Sequence, residues 1–291
     1  MKLETARGFN GKCLDGVNVL SLPPREDDDR ERLLLVHPLG GSVCVRELFL
    51  EGGGKSAKNT NTTVATTRKE RDGEEEETIP PMFFCDDSDV RDQTRVTCAT
   101  TSPCGKYIAA GSRVNVATNV AVVRLWEVAG EGRRRIEKQS ESLVKLSLHK
   151  GEVTSLAFSP CSKFIASLGG ASDNYQLVLW RLADGKAMCG RNTFGATTVA
   201  FVNRASINPS LVTAGADESG VVMWQFDSAK RSFSSEKCRL GQIRRDVVKV
   251  VEGGLDSPET YYVSLGYSDT DDTLYIGEGT GTADFVVPGA P

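Results

Sequence analysis

Two stretches of the sequence repeat one another and decide the fold. Residues 94–111 read TRVTCATTSPCGKYIAAG, and residues 151–168 read GEVTSLAFSPCSKFIASL. Aligned without a gap, at an offset of 57 residues, they share Val, Thr, Ser-Pro-Cys, Lys and Ile-Ala. Each stretch is followed by an apolar segment that ends in tryptophan, at Trp126 and at Trp180. Repetition of this kind indicates a fold built from copies of one supersecondary unit.

A third copy is weaker at its front but ends in the same way. It contains the segments TVAF, LVTAG and VVMW, the last of which ends at Trp224, so the three tryptophans lie 54 and 44 residues apart. Every copy has three short segments rich in Val, Ile, Leu and Phe, separated by turn residues. Repeats of about 40–45 residues with four strands and such a tryptophan are typical of WD-repeat propellers. The sequence therefore predicts an all-β, WD40-type β-propeller.

The flanks of these copies read as further, degenerate blades, which brings the total to about five. Apolar segments within residues 16–50 predict a first blade over residues 1–51, and those within 247–287 belong to the remaining blades of the same propeller over residues 92–291. A propeller hides its sheet edges by closing into a ring. We expect five blades to form an incomplete propeller, either because the chain is truncated or because a partner completes it.

Residues 52–91 interrupt the repeats. They begin with glycines, continue with a Thr/Asn-rich stretch and a highly charged one, and contain almost no apolar residue before Met82. Such a composition cannot bury enough surface to order itself, so we predict a disordered, charged insertion. A functional acidic docking segment is the alternative.

One copy carries the polar residues that WD repeats use for an internal hydrogen-bond set. His149 lies in the loop before the first strand, Ser167 in the second strand, Asp173 in the following turn and Trp180 in the third strand. We expect these side chains to form a buried structural chain in which every polar group finds a partner. The alternative, a Ser–His–Asp hydrolase triad, is disfavoured because the hydroxyl is in mid-strand and no nucleophile elbow surrounds it.

The composition argues against several classes of function. The 291 residues carry a net charge of -4 and have a pI near 5.5, which provides no bulk basic surface for nucleic acid or membrane. No apolar run approaches the ~18 residues of a transmembrane helix, and the start lacks a secretory signal. Eight cysteines without a C-x-x-C pair disfavour zinc ribbons and redox sites. We expect reduced thiols and a cytoplasmic protein.

Two glycine-rich stretches resemble nucleotide-binding motifs but depart from them. Residues 52–56 read GGGKS, but Phe49 stands where a P-loop needs its first glycine. Residues 277–281 read GEGTG, and Thr282 replaces the third glycine of a dinucleotide fingerprint. The sequence therefore nominates no catalytic, cofactor-binding or metal-binding residue, and we expect no cofactor.

A more specific similarity lies in a series of short motifs. In order, they are GFNG at 8–11, HPLG at 37–40, LSLHKG at 146–151, AFSP at 157–160, SLGG at 167–170, CG at 189–190, TAG at 213–215 and GQIRR at 241–245. With these motifs the chain resembles the N-terminal half of the family of the WD-repeat cilia- and flagella-associated protein fifty-two, a doublet-microtubule inner protein.

The resemblance implies a non-catalytic structural role. Members of that family sit in the axoneme of cilia and flagella, as part of the cytoskeleton, and contact tubulin and neighbouring inner proteins. It implies protein partners, with no nucleic acid, membrane or small-molecule substrate, and assigns no partner-contact residue in this chain. A general cytosolic or nuclear WD-repeat adaptor of a multiprotein complex is the alternative, and an enzyme built on a propeller has no supporting residue beyond the near-triad.

Overall fold

The computed structural model shows an all-β arrangement of five sheets. The structure describes residues 17–22, 31–50, 81–85, 94–115, 118–128, 138–139, 143–193, 195–202, 208–215, 220–237, 262–268, 273–278 and 283–286. Each sheet is formed by strands that follow one another in sequence and pair antiparallel, with one exception described below. We number the sheets blades 1 to 5 in chain order.

One short strand from the segment that forms blade 2 joins the sheet of blade 1. Blade 1 contains β1 (Asn18–Leu22), β2 (Glu31–Leu39), β3 (Ser42–Leu50) and β4 (Met82–Cys85). Blade 2 contains β5 (Val96–Thr101), β6 (Tyr107–Ser112), β7 (Ala121–Glu127) and β9 (Val144–His149). Between β7 and β9, the short strand β8 (Lys138–Gln139) leaves blade 2 and joins blade 1.

The other three blades are simpler. Blade 3 contains β10 (Val153–Phe158), β11 (Phe164–Gly169), β12 (Gln176–Arg181) and β13 (Lys186–Asn192). Blade 4 contains β14 (Ala196–Phe201), β15 (Ser210–Gly215), β16 (Val221–Asp227) and β17 (Ser232–Lys237). Blade 5 contains β18 (Tyr262–Ser268), β19 (Thr273–Glu278) and β20 (Ala283–Val286).

The prediction of an incomplete propeller of about five blades is confirmed. The repeated stretches form the first two strands of blades 2 and 3, and each tryptophan lies in the third strand of its blade. Within the described ranges, the main packing contacts join consecutive blades only, and no strand of blade 5 pairs with a strand of blade 1, which is consistent with an open arrangement. The described part also contains no helix long and apolar enough to cross a membrane.

The repeated Ser-Pro-Cys segment forms the turn between the first and second strands of its blade. In blade 2, the Oγ of Ser102 accepts a hydrogen bond from the backbone N–H of Tyr107 at 2.9 Å. In blade 3, the Oγ of Ser159 accepts one from the N–H of Phe164 at 3.0 Å. A serine hydroxyl in this position satisfies the first free donor of the next strand, which explains why the sequence repeats there.

Apolar layers between neighbouring blades form the core. Each tryptophan points towards the preceding blade: Trp126 packs with blade 1, Trp180 with blade 2 and Trp224 with blade 3. The second strand of blade 3, Phe164–Gly169, is buried along its whole length because neighbours cover both of its faces. Burial on both faces explains the loose alternation of apolar and polar residues in these strands.

The end of the predicted insertion departs from the expectation. Most of residues 52–91 lie outside the described residues, but Met82–Cys85 form β4, the fourth strand of blade 1. Met82 and Phe84 are 8% and 3% exposed, and the Phe84 ring lies 6.2 Å from the Trp126 ring, centroid to centroid. The apolar residues at the end of a charged segment therefore belong to the core between blades 1 and 2.

The short strand β8 ties the first two blades together. Lys138 and Gln139 pair in parallel with Phe83 and Phe84 of β4, although they belong to the connection between two strands of blade 2. The outer edge of blade 1 is thereby covered by a segment from its neighbour. Covering an edge strand removes a site at which another chain could pair and aggregate.

We predict that the charged segment before β4 is dispensable and that β4 is not. Replacing residues 53–80 by a flexible Gly/Ser linker of about eight residues, long enough to span the gap between β3 and β4, should leave the thermal unfolding midpoint nearly unchanged. Long surface connections cost little closure entropy. Replacing residues 53–85 by the same linker also removes the buried Met82 and Phe84, and should lower the midpoint by several degrees.

Circular dichroism melting of the two variants tests this assignment. A similar loss of stability in both would show that the segment before β4 is itself part of the folded unit.

Candidate functional site

Blade 3 contains a chain of hydrogen bonds that joins four side chains. The indole Nε1 of Trp180 donates to the Oγ of Ser167 at 2.8 Å. The same Oγ lies 2.7 Å from the Nε2 of His149, and the Nδ1 of His149 lies 2.9 Å from the Oδ2 of Asp173. The structure thus brings together all four residues that the sequence analysis grouped.

The four residues come from two blades. Ser167 lies in β11, Trp180 in β12, and Asp173 ends the short 3-10 turn Ala171–Asp173. The sequence placed His149 in a loop, but it is the last residue of β9, the outer strand of blade 2, where it pairs with Ala121. The hydrogen bonds of His149 therefore connect the end of one blade to the middle of the next.

The direction of each hydrogen bond follows from the chemistry of its donor. An indole N–H can only donate, so the hydroxyl of Ser167 accepts from Trp180 and gives its own proton to the Nε2 of His149. His149 then carries its proton on Nδ1 and donates it to Asp173. Complete burial of the ring lowers the pKa of His149 below its ordinary value of 6.5, although the carboxylate of Asp173 opposes this by favouring the charged form. A neutral imidazole fits all three hydrogen bonds.

Two further features hold Asp173 in place at the end of this hydrogen-bond chain. The Oδ1 of Asp173 accepts a hydrogen bond from the backbone N–H of Lys150 at 2.5 Å, so both carboxylate oxygens are used. Gly169 leaves the space in which the pair meets: a Cβ there would lie 2.5 Å from the Oδ2 of Asp173 and 2.7 Å from the Nδ1 of His149. No side chain larger than hydrogen fits at this position without displacing the pair.

The indole N–H groups of the other two tryptophans are less well satisfied. In each blade, the position that faces the indole N–H lies two residues beyond the residue that pairs with the tryptophan across the sheet. This position is Ser167 in blade 3, Thr213 in blade 4 and Ala110 in blade 2. The Oγ1 of Thr213 accepts from the Nε1 of Trp224 at 2.8 Å. In blade 2, alanine offers no acceptor, and the buried Nε1 of Trp126 has no hydrogen-bond partner among the described residues. Thr213 was not among the predicted residues, although the alignment of the copies places it opposite Ser167.

The side chains have the Ser–His–Asp order of a hydrolase triad, but the serine hydroxyl is not accessible to a substrate. Ser167 and His149 are both 0% exposed, and Ser167 is enclosed by Leu156 and Val178 on the two neighbouring strands. Its hydroxyl already accepts from Trp180, and no strand-to-helix turn presents it to solvent. A substrate carbonyl cannot reach this oxygen while blade 3 is folded, so the arrangement joins blades.

The glycine-rich motifs singled out in the sequence fall mostly outside the part of the chain that the structure describes. These are residues 52–56 and most of the stretch at 277–281. His37 is buried within β2. Over the described ranges, no three His, Cys, Asp or Glu side chains are grouped so that they could hold a metal ion.

Comparison with known proteins agrees with this geometry. The family model described as "WD domain, G-beta repeat" matches residues 140–181, which contain His149, Ser167, Asp173 and Trp180. A chain in the crystal structure of the mitotic checkpoint complex covers 87% of this chain and is itself covered to 60%, with a TM-score of 0.50 and 13% identity. At that level of identity, the likeness shows the fold alone.

Curated relatives extend over more of the sequence. Cilia- and flagella-associated protein 52 of Mus musculus is 32% identical over 292 aligned residues, which cover 97% of this chain and 34% of the relative. The protein of the same name from Chlamydomonas reinhardtii is 32% identical over 185 residues, covering 62% of this chain and 27% of the relative. The chain thus spans about a third of the length of these relatives.

We predict that Ser167→Ala destabilises the protein by about 2–4 kcal/mol, because it leaves two buried groups, the indole N–H of Trp180 and the Nε2 of His149, without partners. The free energy of unfolding in urea measures this loss.

Ala110→Ser, the reciprocal change in blade 2, should stabilise the protein by about 1 kcal/mol by giving Trp126 an acceptor. If both substitutions changed the free energy of unfolding only slightly, the indole hydrogen bonds would contribute little to stability.

A second prediction concerns pH. Because burial lowers the pKa of His149 in the folded state, the unfolded chain binds the proton more readily. The contribution of neutral His149 to the free energy of unfolding is therefore fully present above about pH 6.5, the pKa in the unfolded chain. It is lost as the pH falls from there towards the lower pKa of the folded state. The wild-type protein should lose more unfolding free energy between about pH 7.5 and about pH 5.5 than the His149→Gln variant does. The same loss in both proteins would contradict a buried, neutral His149.

Proposed function

Because the chain is a WD-repeat β-propeller protein and a relative of cilia- and flagella-associated protein 52 over 97% of its length, we propose that it is a non-catalytic scaffold of cilia and flagella. The observation that carries this proposal is the extent of the match. The general WD-repeat model matches only residues 140–181, whereas the alignment with that protein covers 97% of the chain.

The physical character of the fold suits a scaffold. Four apolar layers lock five sheets into one stack, and the buried hydrogen-bond chain of His149 joins two of the blades. Such a stack presents several separate surfaces at fixed angles. A protein that occupies a lattice can gain its affinity from many weak contacts of this kind acting together.

The finer proposal concerns where the scaffold sits. We infer that it acts as a microtubule inner protein of axonemal doublets, in the cytoskeleton of the cilium or flagellum, and that its partners are tubulin and neighbouring inner proteins. The mild net charge of -4 fits a role in which shape carries recognition, since acidic surfaces would gain little from electrostatic attraction to one another. A small-molecule substrate, a cofactor and nucleic acid have no part in this role.

Fractionation of axonemes tests the proposal. Doublets isolated from flagellated cells should retain the protein after detergent and moderate salt, and should release it only under conditions that also extract other luminal proteins. A tagged outer-surface protein serves as the control for salt release.

Two outcomes would contradict the ciliary role. One is recovery wholly in the soluble fraction. The other is copurification with a multisubunit complex in cells that lack cilia, which would identify the chain as a general cytosolic or nuclear adaptor.

A further inference from the structure

A shallow groove of about 410 Å³ lies between the outer strands of blades 3 and 4. Arg191 and Asn192, at the end of β13, form one wall, and Ser235 of β17 lies on the other. Trp224 and Phe233 of blade 4 line the groove between these walls. The groove therefore has an apolar floor and polar sides.

The floor offers only apolar surface. Trp224 and Phe233 pack edge to face, with their ring centroids 6.0 Å apart, and are 6% and 8% exposed. The indole N–H of Trp224 already donates to Thr213, so it is not available to a ligand. A group that settles on these rings gains by burying apolar surface.

Arg191 supplies an uncompensated positive charge at the edge of this floor. It is exposed and pairs across the sheet with Leu177, a residue of the layer between blades 3 and 4, so it lies on the side of blade 3 that faces blade 4. In the described part of the chain, its guanidinium has no hydrogen-bond or ion-pair partner. By contrast, the guanidinium of Arg181, on the neighbouring strand, is held by Asp184 at 2.5 Å. A free guanidinium binds a carboxylate through charge-assisted hydrogen bonds, which are often bidentate.

The strand that carries Arg191 also has an open edge. β13 is the last strand of blade 3, and none of the described residues pairs with its outer side. In blade 1, the corresponding strand β4 is covered by Lys138–Gln139, which add to the sheet as a fifth strand. The fold therefore already accommodates an added strand beyond the fourth, and an open edge of this type recruits extended peptides.

We propose that the groove between β13 and β17 binds an extended, acidic segment of a partner protein. The segment adds to the outer edge of β13 as a fifth strand of blade 3. Alternate side chains then point into the groove, where a carboxylate meets Arg191 and an apolar side chain covers Trp224 and Phe233. This inference depends only on blades 3 and 4 and holds whether or not the chain resides in cilia.

Peptide binding to the purified full chain tests the proposal. The probe is a fluorescein-labelled peptide of about eight residues, in which valine and threonine alternate around one central glutamate. The matched peptide has glutamine in place of the glutamate. We expect fluorescence anisotropy to show that the glutamate peptide binds more tightly, by about tenfold. Hydrogen exchange should show protection of β13 by the peptide, and none of β9, the outer strand of blade 2.

Two variants separate the charge of the groove from charge in general. Arg191→Gln should weaken binding of the glutamate peptide by about tenfold and leave the glutamine peptide unaffected. Lys186→Gln removes the same charge from the other end of β13, where the lysine is 74% exposed and lies 3.9 Å from Asp184, and should leave both affinities unchanged. Ser235→Trp, which fills the groove from an exposed position, should abolish binding of both peptides.

Three results would overturn the inference. They are no binding of either peptide, an equal effect of Arg191→Gln and Lys186→Gln, and protection of β9 and β13 alike. Sedimentation of the protein without peptide tests whether a second copy of this chain occupies the groove. A dimer that Arg191→Gln dissociates would assign the groove to that second copy instead.

Discussion

The whole structure depends on the burial of both faces of each sheet. A blade of four short strands rich in Val, Ile, Leu and Phe cannot cover its own apolar surface, so it is stable only between neighbours. In blades 2, 3 and 4, the tryptophan of the third strand packs into the layer shared with the preceding blade. This direction is set by the strand register, because a shift of one residue would turn every side chain to the other face. The order of the blades thus follows from one repeated packing contact.

A buried tryptophan brings a polar group into the core, and the three blades deal with it differently. In blade 3 the indole N–H donates to Ser167, which bonds in turn to His149 of blade 2. Blade 4 supplies one threonine, and the described part of blade 2 supplies no acceptor. An unpaired buried donor costs more than a satisfied one returns. The stability of the stack is therefore expected to be uneven, with the strongest coupling between blades 2 and 3, where His149 crosses from one to the other. Blade 2 compensates in part through the packing of Trp126 against Phe84 and through the strand β8 that it lends to blade 1.

The sequence was sufficient for the parts of the fold that repeat. The Ser-Pro-Cys turns and the spacing of the tryptophans located blades 2, 3 and 4, and the polar pattern of WD repeats grouped His149, Ser167, Asp173 and Trp180. It was insufficient where a strand is supplied from outside its own repeat. The strand β4 lies at the end of a charged segment, and β8 is two residues long in a connection, so neither has a periodic pattern of its own. The groove at Arg191 was also invisible, because it depends on the distance between two outer strands and not on any motif.

The interior of the stack is occupied by the contacts that hold the blades together. If the sheets stack face to face, with each tryptophan directed at the blade before it, the ring of Trp180 lies against blade 2. A nuclear Overhauser spectrum of the protein with labelled methyl groups and a labelled Trp180 indole measures this contact. We expect cross-peaks from the ring of Trp180 to methyl groups of blade 2, such as those of Val123 and Leu125. Cross-peaks confined to blade 3 would contradict this stacking.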